Sequence, residues 1–191
     1  NIKNTGSINL TGDRTVGVYM TGSGSQAFEN TGNITVGHSS NQTDPSIGVY
    51  NNTENGLVIN TNLIKAGANS IGIYNKSGNI DNSGNIKIGN SLIIDPQNPF
   101  VNEYAVGIYG DGVKNIKNTG NIEVGANAVG FYITGNLNEA LNTGNISSDS
   151  EKAIGIYSEQ GAVRNTGNIT LSGDGSIGIA AARNSKISNS G

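Results

Sequence analysis

The chain has no cysteine, one histidine and no apolar run approaching the length of a membrane span. Without cysteine there is neither a disulfide framework nor a thiolate zinc cluster. The lack fits a polypeptide that crosses an oxidising compartment unfolded and uncrosslinked. Positive charge is also scarce: 11 Lys and Arg, scattered singly, stand against 14 Asp and Glu for a net charge of −3. No basic stripe exists to neutralise phosphates, so no nucleic-acid partner is expected. At 34 % hydrophobic and 5 % aromatic, the composition resembles a disordered polar tract. The placement of the few large aliphatics argues otherwise, because they return in register.

The register is set by Asn118-Thr119-Gly120-Asn121-Ile122, which recurs nearly unaltered with copies starting at Asn4, Asn30, Asn60, Asn82, Asn118, Asn142, Asn165 and Asn189. Most starts are 22 to 26 residues apart, and two gaps are longer, at 30 and 36. Such a period marks a solenoid, whose units bury their apolar faces against one another. Each repeat reads as three short strands. The first follows the Asn-Thr-Gly turn and carries an inward pair two residues apart, as in Ile34/Val36, Ile86/Ile88 and Ile122/Val124. The second is a small residue, an aliphatic, Gly, an aliphatic and Tyr, as in Ser46-Ile47-Gly48-Val49-Tyr50. The third supplies one apolar column, Ile2, Phe28, Val58, Ile80, Ile116, Ala140, Val163 and Ile187. Glycines and β-branched residues leave no helical stripe. The expected fold is all-β, a right-handed parallel β-helix over residues 1–191 with three strands per coil and about seven coils of ~23 residues. At about 4.8 Å per coil, the rod is roughly 35 Å long.

Glycine at the third place of the corner suggests a backbone with φ > 0, and the one exception, Asn62, tolerates that region best among residues with a side chain. The corner asparagines read as a structural stack of amides rather than a ligand ladder. A threonine column beside them (Thr5, Thr31, Thr61, Ser83, Thr119, Thr143, Thr166, Ser190) raises ice binding, but a single column at a corner lacks the flat double rank such faces use. Tyr19, Tyr50, Tyr74, Tyr109, Tyr132 and Tyr157 form a further column. Simple alternation turns each tyrosine and the glycine two residues earlier outward together. Such rings either stack on sugars or stack on each other as a corner cap.

Two repeats carry extra residues at one equivalent point, near 38–45 and 90–104. Insertions at equivalent places leave a solenoid from one edge, often the working one. The loops are expected about 10 Å apart at the base, with a single coil between them. Interface anchors favour aromatic and large apolar groups, so Asp44, Ile93, Ile94, Phe100, Glu103 and Tyr104 are the candidate partner-binding residues.

No catalytic constellation is evident. His38 lies in a polar loop without a base–nucleophile arrangement. Asp44, Asp95, Glu103 and Asp111 lack the alternating pattern of a calcium loop, so neither metal nor cofactor is expected. A polysaccharide-acting β-helix enzyme is the alternative, but its clustered aspartates with Arg or Lys on one strand face are not seen.

Repeated Asn-Thr-Gly-Asn-Ile followed by Ala/Ser-Ile/Val-Gly-Ile-Tyr resembles the passenger β-helix of the large RadD-like autotransporter adhesins of fusobacteria, over the whole chain. The resemblance implies export through a C-terminal barrel and display on the bacterial surface, anchored to the outer membrane or secreted. It also implies adhesion to a protein or glycan on host cells or other bacteria. It transfers no ligand residue, because the shared motif is scaffold. The chain begins and ends in mid-repeat without polar caps, so it is expected to be a piece of a longer stalk, serving as adhesive segment or as spacer.

Overall fold

In a computed structural model the chain winds into a right-handed parallel β-helix of three sheets. Residues 1–41, 44–92, 105–112, 114–135 and 139–191 are described, and none of them is helical. The first sheet stacks eight strands from Ile2–Asn4 to Ser185–Asn189, the second seven from Ser7–Leu10 to Asn168–Leu171, and the third seven from Val16–Gly22 to Ile177–Ala181. Every strand pairs in parallel with its equivalents in adjacent coils, so identical repeat positions form columns: Ile34 on Ile64, Ile86 on Ile122, Phe28 on Val58. The core is the inside of this tube. Ile34, Ile64, Ile86, Ile122 and Ile146 of the second sheet are fully buried against Phe28, Val58 and Ile116 of the first and Val49, Ile73 and Phe131 of the third.

The corner asparagines occupy the seam between the first and second sheets, inside the tube. Each donates from Nδ2 to Oδ1 of the next, from Asn4 to Asn30 and onward to Asn189, over 2.6–2.8 Å. In the middle coils the second amide hydrogen bonds the carbonyl two residues on, as Asn118 does to Gly120 at 3.2 Å. Asn30, Asn60, Asn82, Asn118 and Asn142 have no exposed surface, and the ladder is what makes five buried amides tolerable.

The corner glycines do not have positive φ. The expectation of a left-handed corner fails here, and the reason for glycine is steric. A Cβ on Gly120 would lie 2.0 Å from the Gly84 carbonyl oxygen, and one on Gly144 2.0 Å from that of Gly120. At the exception, the Asn62 amide donates to the Thr31 carbonyl at 3.0 Å.

Left-handed residues stand instead at Arg14, Asn69, Asn127, Lys152 and Gly175, each just before the small residue that opens a third-sheet strand, and again at Arg183 ahead of a first-sheet strand. Lys152 is exposed at φ 55°, where Gly175 stands one coil later. Lys152→Gly should therefore raise stability by about 0.5–1 kcal/mol, read as a higher urea midpoint with unchanged slope.

Candidate functional site

The edge that carries both inserts is the seam between the second and third sheets, and one residue organises it. Asn69 sits in the coil between the two inserted ones, buried, with φ 50°. Its Nδ2 donates to the Ser39 carbonyl in the first insert at 2.9 Å, and its Oδ1 accepts from the Leu92 amide in the second at 2.7 Å. Its own N–H donates to the Asn90 carbonyl at 3.0 Å. With both a donor and an acceptor on one amide, a single side chain bonds one coil down and one coil up. The two inserts are thus tied together at their bases rather than merely adjacent.

Each insert is also pinned locally. Ser39 Oγ donates within its own loop to the carbonyls of Asn41 and Asp44, at 2.6 and 2.7 Å. The carboxylate of Asp13, one coil earlier, accepts from both the N–H and the hydroxyl of Ser40. Those bonds to Ser40 hold the Asp13 carboxyl below its ordinary range. Arg14 reaches toward Asp44, Nη1 to Oδ2 4.0 Å, and both side chains are largely exposed. In the second insert Ser91 Oγ accepts from the Ala105 N–H at 2.6 Å, closing the loop's two ends on each other. Leu92 is 55 % exposed, the most exposed large aliphatic among the described residues.

Of the predicted contact residues, Asp44 lies on this edge. Ile93, Ile94, Phe100, Glu103 and Tyr104 lie outside the described residues, as does Asp95. His38 is exposed, as read from its loop. Asp44 and Asp111 are not brought together: Asp44 precedes the strand Ser46–Thr53, whereas Asp111 ends the strand Val106–Asp111. Among the described residues no three His, Cys, Asp or Glu side chains gather in a metal-binding group. Asn69 itself escaped the sequence reading. The signal was an asparagine at the place held by Arg14, Asn127, Lys152 and Gly175, a spacing visible once the strand-opening small residues are aligned.

The tyrosine column runs along the third sheet, and its setting departs from simple alternation. Gly48 faces the interior, since a Cβ there would lie 2.7 Å from Ile64 Cγ2, and Val49 beside it is in the core. Two successive inward residues break the pleat at the same place in each coil, and the pairing registers skip the glycine on both strands. The tyrosine therefore shares the outer face with the aliphatic three residues before it, not with the glycine. Ile47, Ile71, Val106, Val129 and Ile154 form a second apolar layer outside the tube, covered by Tyr50, Tyr74, Tyr109, Tyr132 and Tyr157.

The rings stack on one another, with centroids 4.6–5.2 Å apart from Tyr19 to Tyr157. Their faces are spent on neighbours, so the column behaves as a cap on the outer layer rather than as a row of sugar platforms. Tyr132 donates its hydroxyl to Glu159 Oε1 at 3.0 Å, and burial first, then the carboxylate, hold its phenol well above the ordinary tyrosine range. Its neutral form is favoured by folding. Stability from this group is complete below the unfolded tyrosine value of about 10 and declines as pH rises beyond it toward the folded value. The urea midpoint should fall between about pH 10 and pH 11, and less steeply in Glu159→Gln.

The remaining regular faces are self-satisfied. Hydroxyls of Thr31, Thr61 and Thr143 donate to the asparagine carbonyl of the preceding coil at 3.1–3.3 Å, so that column secures the corner and offers no free rank of hydroxyls. On the outer face of the second sheet, Asn85, Asn121, Asn145 and Asn168 form an exposed amide ladder beside the ion pair of Lys87 and Glu123 at 2.6 Å.

Neither the curated proteins nor the solved structures give a match to this chain. A family model does: BigA third pectate lyase-like domain, over residues 1–163. That span includes both inserts, the Asn69 bridge and all six tyrosines of the column, and the coils beyond it continue in the same register. The chain belongs to the family of the BigA third pectate lyase-like domain.

Proposed function

We propose that this chain is a rigid, non-catalytic segment of a bacterial surface adhesin passenger. The edge bearing the two inserts makes contact with a protein or glycan on a host or bacterial cell. Membership in a BigA domain family supports the surface-adhesin reading. The RadD-like repeat style of the corner and of the tyrosine strand supports an autotransporter route to the outer membrane, with the rod held outside the cell.

One observation carries the choice of edge: the amide of Asn69 ties both inserts to a single coil, with Leu92 exposed at the base of the longer one. A rigid scaffold that fixes two loops relative to each other lowers the ordering cost of a contact that uses both. A spacer role is the second reading. It is favoured by the regular faces, whose hydroxyls and amides bond one another and leave little for a ligand.

The test presents residues 1–191 on beads to bacterial cells, host cells and a glycan array. Binding should be present, and deletion of Ser91–Asn102 should reduce it at least tenfold while circular dichroism still reports the β-helix. Binding that survives the deletion but is lost in Tyr109→Ala with Tyr132→Ala would move the site to the tyrosine column. No binding by the intact chain would favour the spacer. Turnover of an acidic polysaccharide by the same preparation would overturn the non-catalytic reading.

A further inference from the structure

The tyrosine column is uneven in a way that follows the inserts. Tyr19 and Tyr50 lie face to face at 5.0 Å and 8°, and Tyr74 and Tyr109 at 4.6 Å and 24°. The contact between these pairs is edge-on, Tyr50 to Tyr74 at 85°, as is the one after the second, Tyr109 to Tyr132 at 90°. The last pair, Tyr132 and Tyr157, is tilted at 47°. The two stacked pairs are the two that span an insert in sequence. Residues 38–45 lie between Tyr19 and Tyr50, and residues 90–104 between Tyr74 and Tyr109. All these tyrosines are in backbone register on neighbouring coils, so it is the ring planes that set the two stacked pairs apart.

We propose that these two stacked pairs are sites of oxidative dityrosine cross-linking, which would staple each insert-bearing coil to the coil before it. Near-parallel rings at this spacing bring the carbons ortho to the two hydroxyls within reach of each other after a small sideways slip. The edge-on pairs present a ring edge to a ring face and do not. One-electron oxidation removes an electron and the phenolic proton from each tyrosine. The two radicals join through a carbon–carbon bond ortho to the hydroxyls, and the two displaced ring hydrogens return to oxygen, restoring both phenols. The sum is loss of two hydrogen atoms to the oxidant, which for a peroxide means reduction of one peroxide to two waters. Rings of the column lie on the outer face, and Tyr19 is 63 % exposed, so oxidants reach them from solvent. A chain without cysteine has no disulfide route to such a staple.

The experiment treats dilute, folded chain with hydrogen peroxide and a peroxidase, and in parallel with a ruthenium photo-oxidant and persulfate. Products are read by blue dityrosine fluorescence and by peptide mass spectrometry. The expected result is monomeric product that has lost hydrogen in pairs, with linked peptides joining Tyr19 to Tyr50 and Tyr74 to Tyr109. Tyr50→Phe should abolish the first link alone, Tyr109→Phe the second alone, and Tyr157→Phe neither. The stapled chain should also unfold at higher urea than the untreated one. The proposal is overturned if dityrosine fails to form, if it forms only between molecules, or if links scatter over all seven tyrosines as they would in urea-unfolded chain.

Discussion

Gly120→Ala should lose about 2–3 kcal/mol of stability, and Gly120→Val more. The added Cβ falls 2.0 Å from the Gly84 carbonyl oxygen, which cannot retreat freely. That oxygen accepts the side-chain amide of Asn82 at 3.2 Å and the N–H of Asn121 at 3.2 Å, so moving it breaks the ladder and the inter-coil pairing together. Gly175→Ala is the control. Gly175 has φ 70°, and its Cβ would meet only the flexible Lys152 Cγ at 3.3 Å, so the expected loss is the backbone cost alone, about 1 kcal/mol. Urea melts of the two variants separate the two roles of glycine. Equal losses would show that the Asn-Thr-Gly corner is held for its backbone angle after all.

Asn69→Ala should cost about 2–4 kcal/mol, the largest loss expected from a single side chain on the insert-bearing edge. Removing the amide breaks its bonds to the Ser39 carbonyl and the Leu92 N–H and keeps a Cβ residue at φ 50°. Asn69→Gly relieves the backbone and not the bonds, so it should recover roughly 1 kcal/mol of that loss and no more. Hydrogen exchange gives a second reading, because the Leu92 and Ala105 amides should lose protection in both variants while those of the Asn118 corner keep theirs. If Gly restores full stability, the bridge contributes nothing and the inserts are independent.

Much of this architecture was legible in the sequence. The inward pairs such as Ile86/Ile88, the column from Ile2 to Ile187 and the asparagine stack all follow from period-two patterning repeated at a fixed interval. What the sequence did not reveal lies where glycine acts. A recurring glycine says that a Cβ is forbidden, but not whether the backbone angle or a neighbouring carbonyl forbids it; at Gly120 it is the neighbour. The break in the pleat at Gly48 was hidden for a related reason. Counting parity along Ser46-Ile47-Gly48-Val49-Tyr50 assumes an unbroken pleat, and the two successive inward residues reverse the sense of everything before them. The uneven repeat lengths drew attention to the insert edge. They did not reveal the bond that unites it, because Asn69 serves two partners about 30 residues away on one side and 23 on the other, beyond any local motif.

The asparagine ladder also gives the rod a mechanical character. Its amides donate in one direction along the axis, while backbone N–H groups such as those of Thr119 and Gly120 donate in the other, to Asn82 of the coil before. A pull along the axis therefore loads both sets in tension, and the interface between two coils yields before the interior of either. Each coil occupies about 4.8 Å of rod but holds ~24 residues, roughly 80 Å of chain once drawn out. The coils starting at Asn30 and Asn82 hold 30 and 36 residues, and so release the most. Under load such a rod is expected to lengthen in steps, giving way coil by coil, which stretching of single molecules would read as a sawtooth.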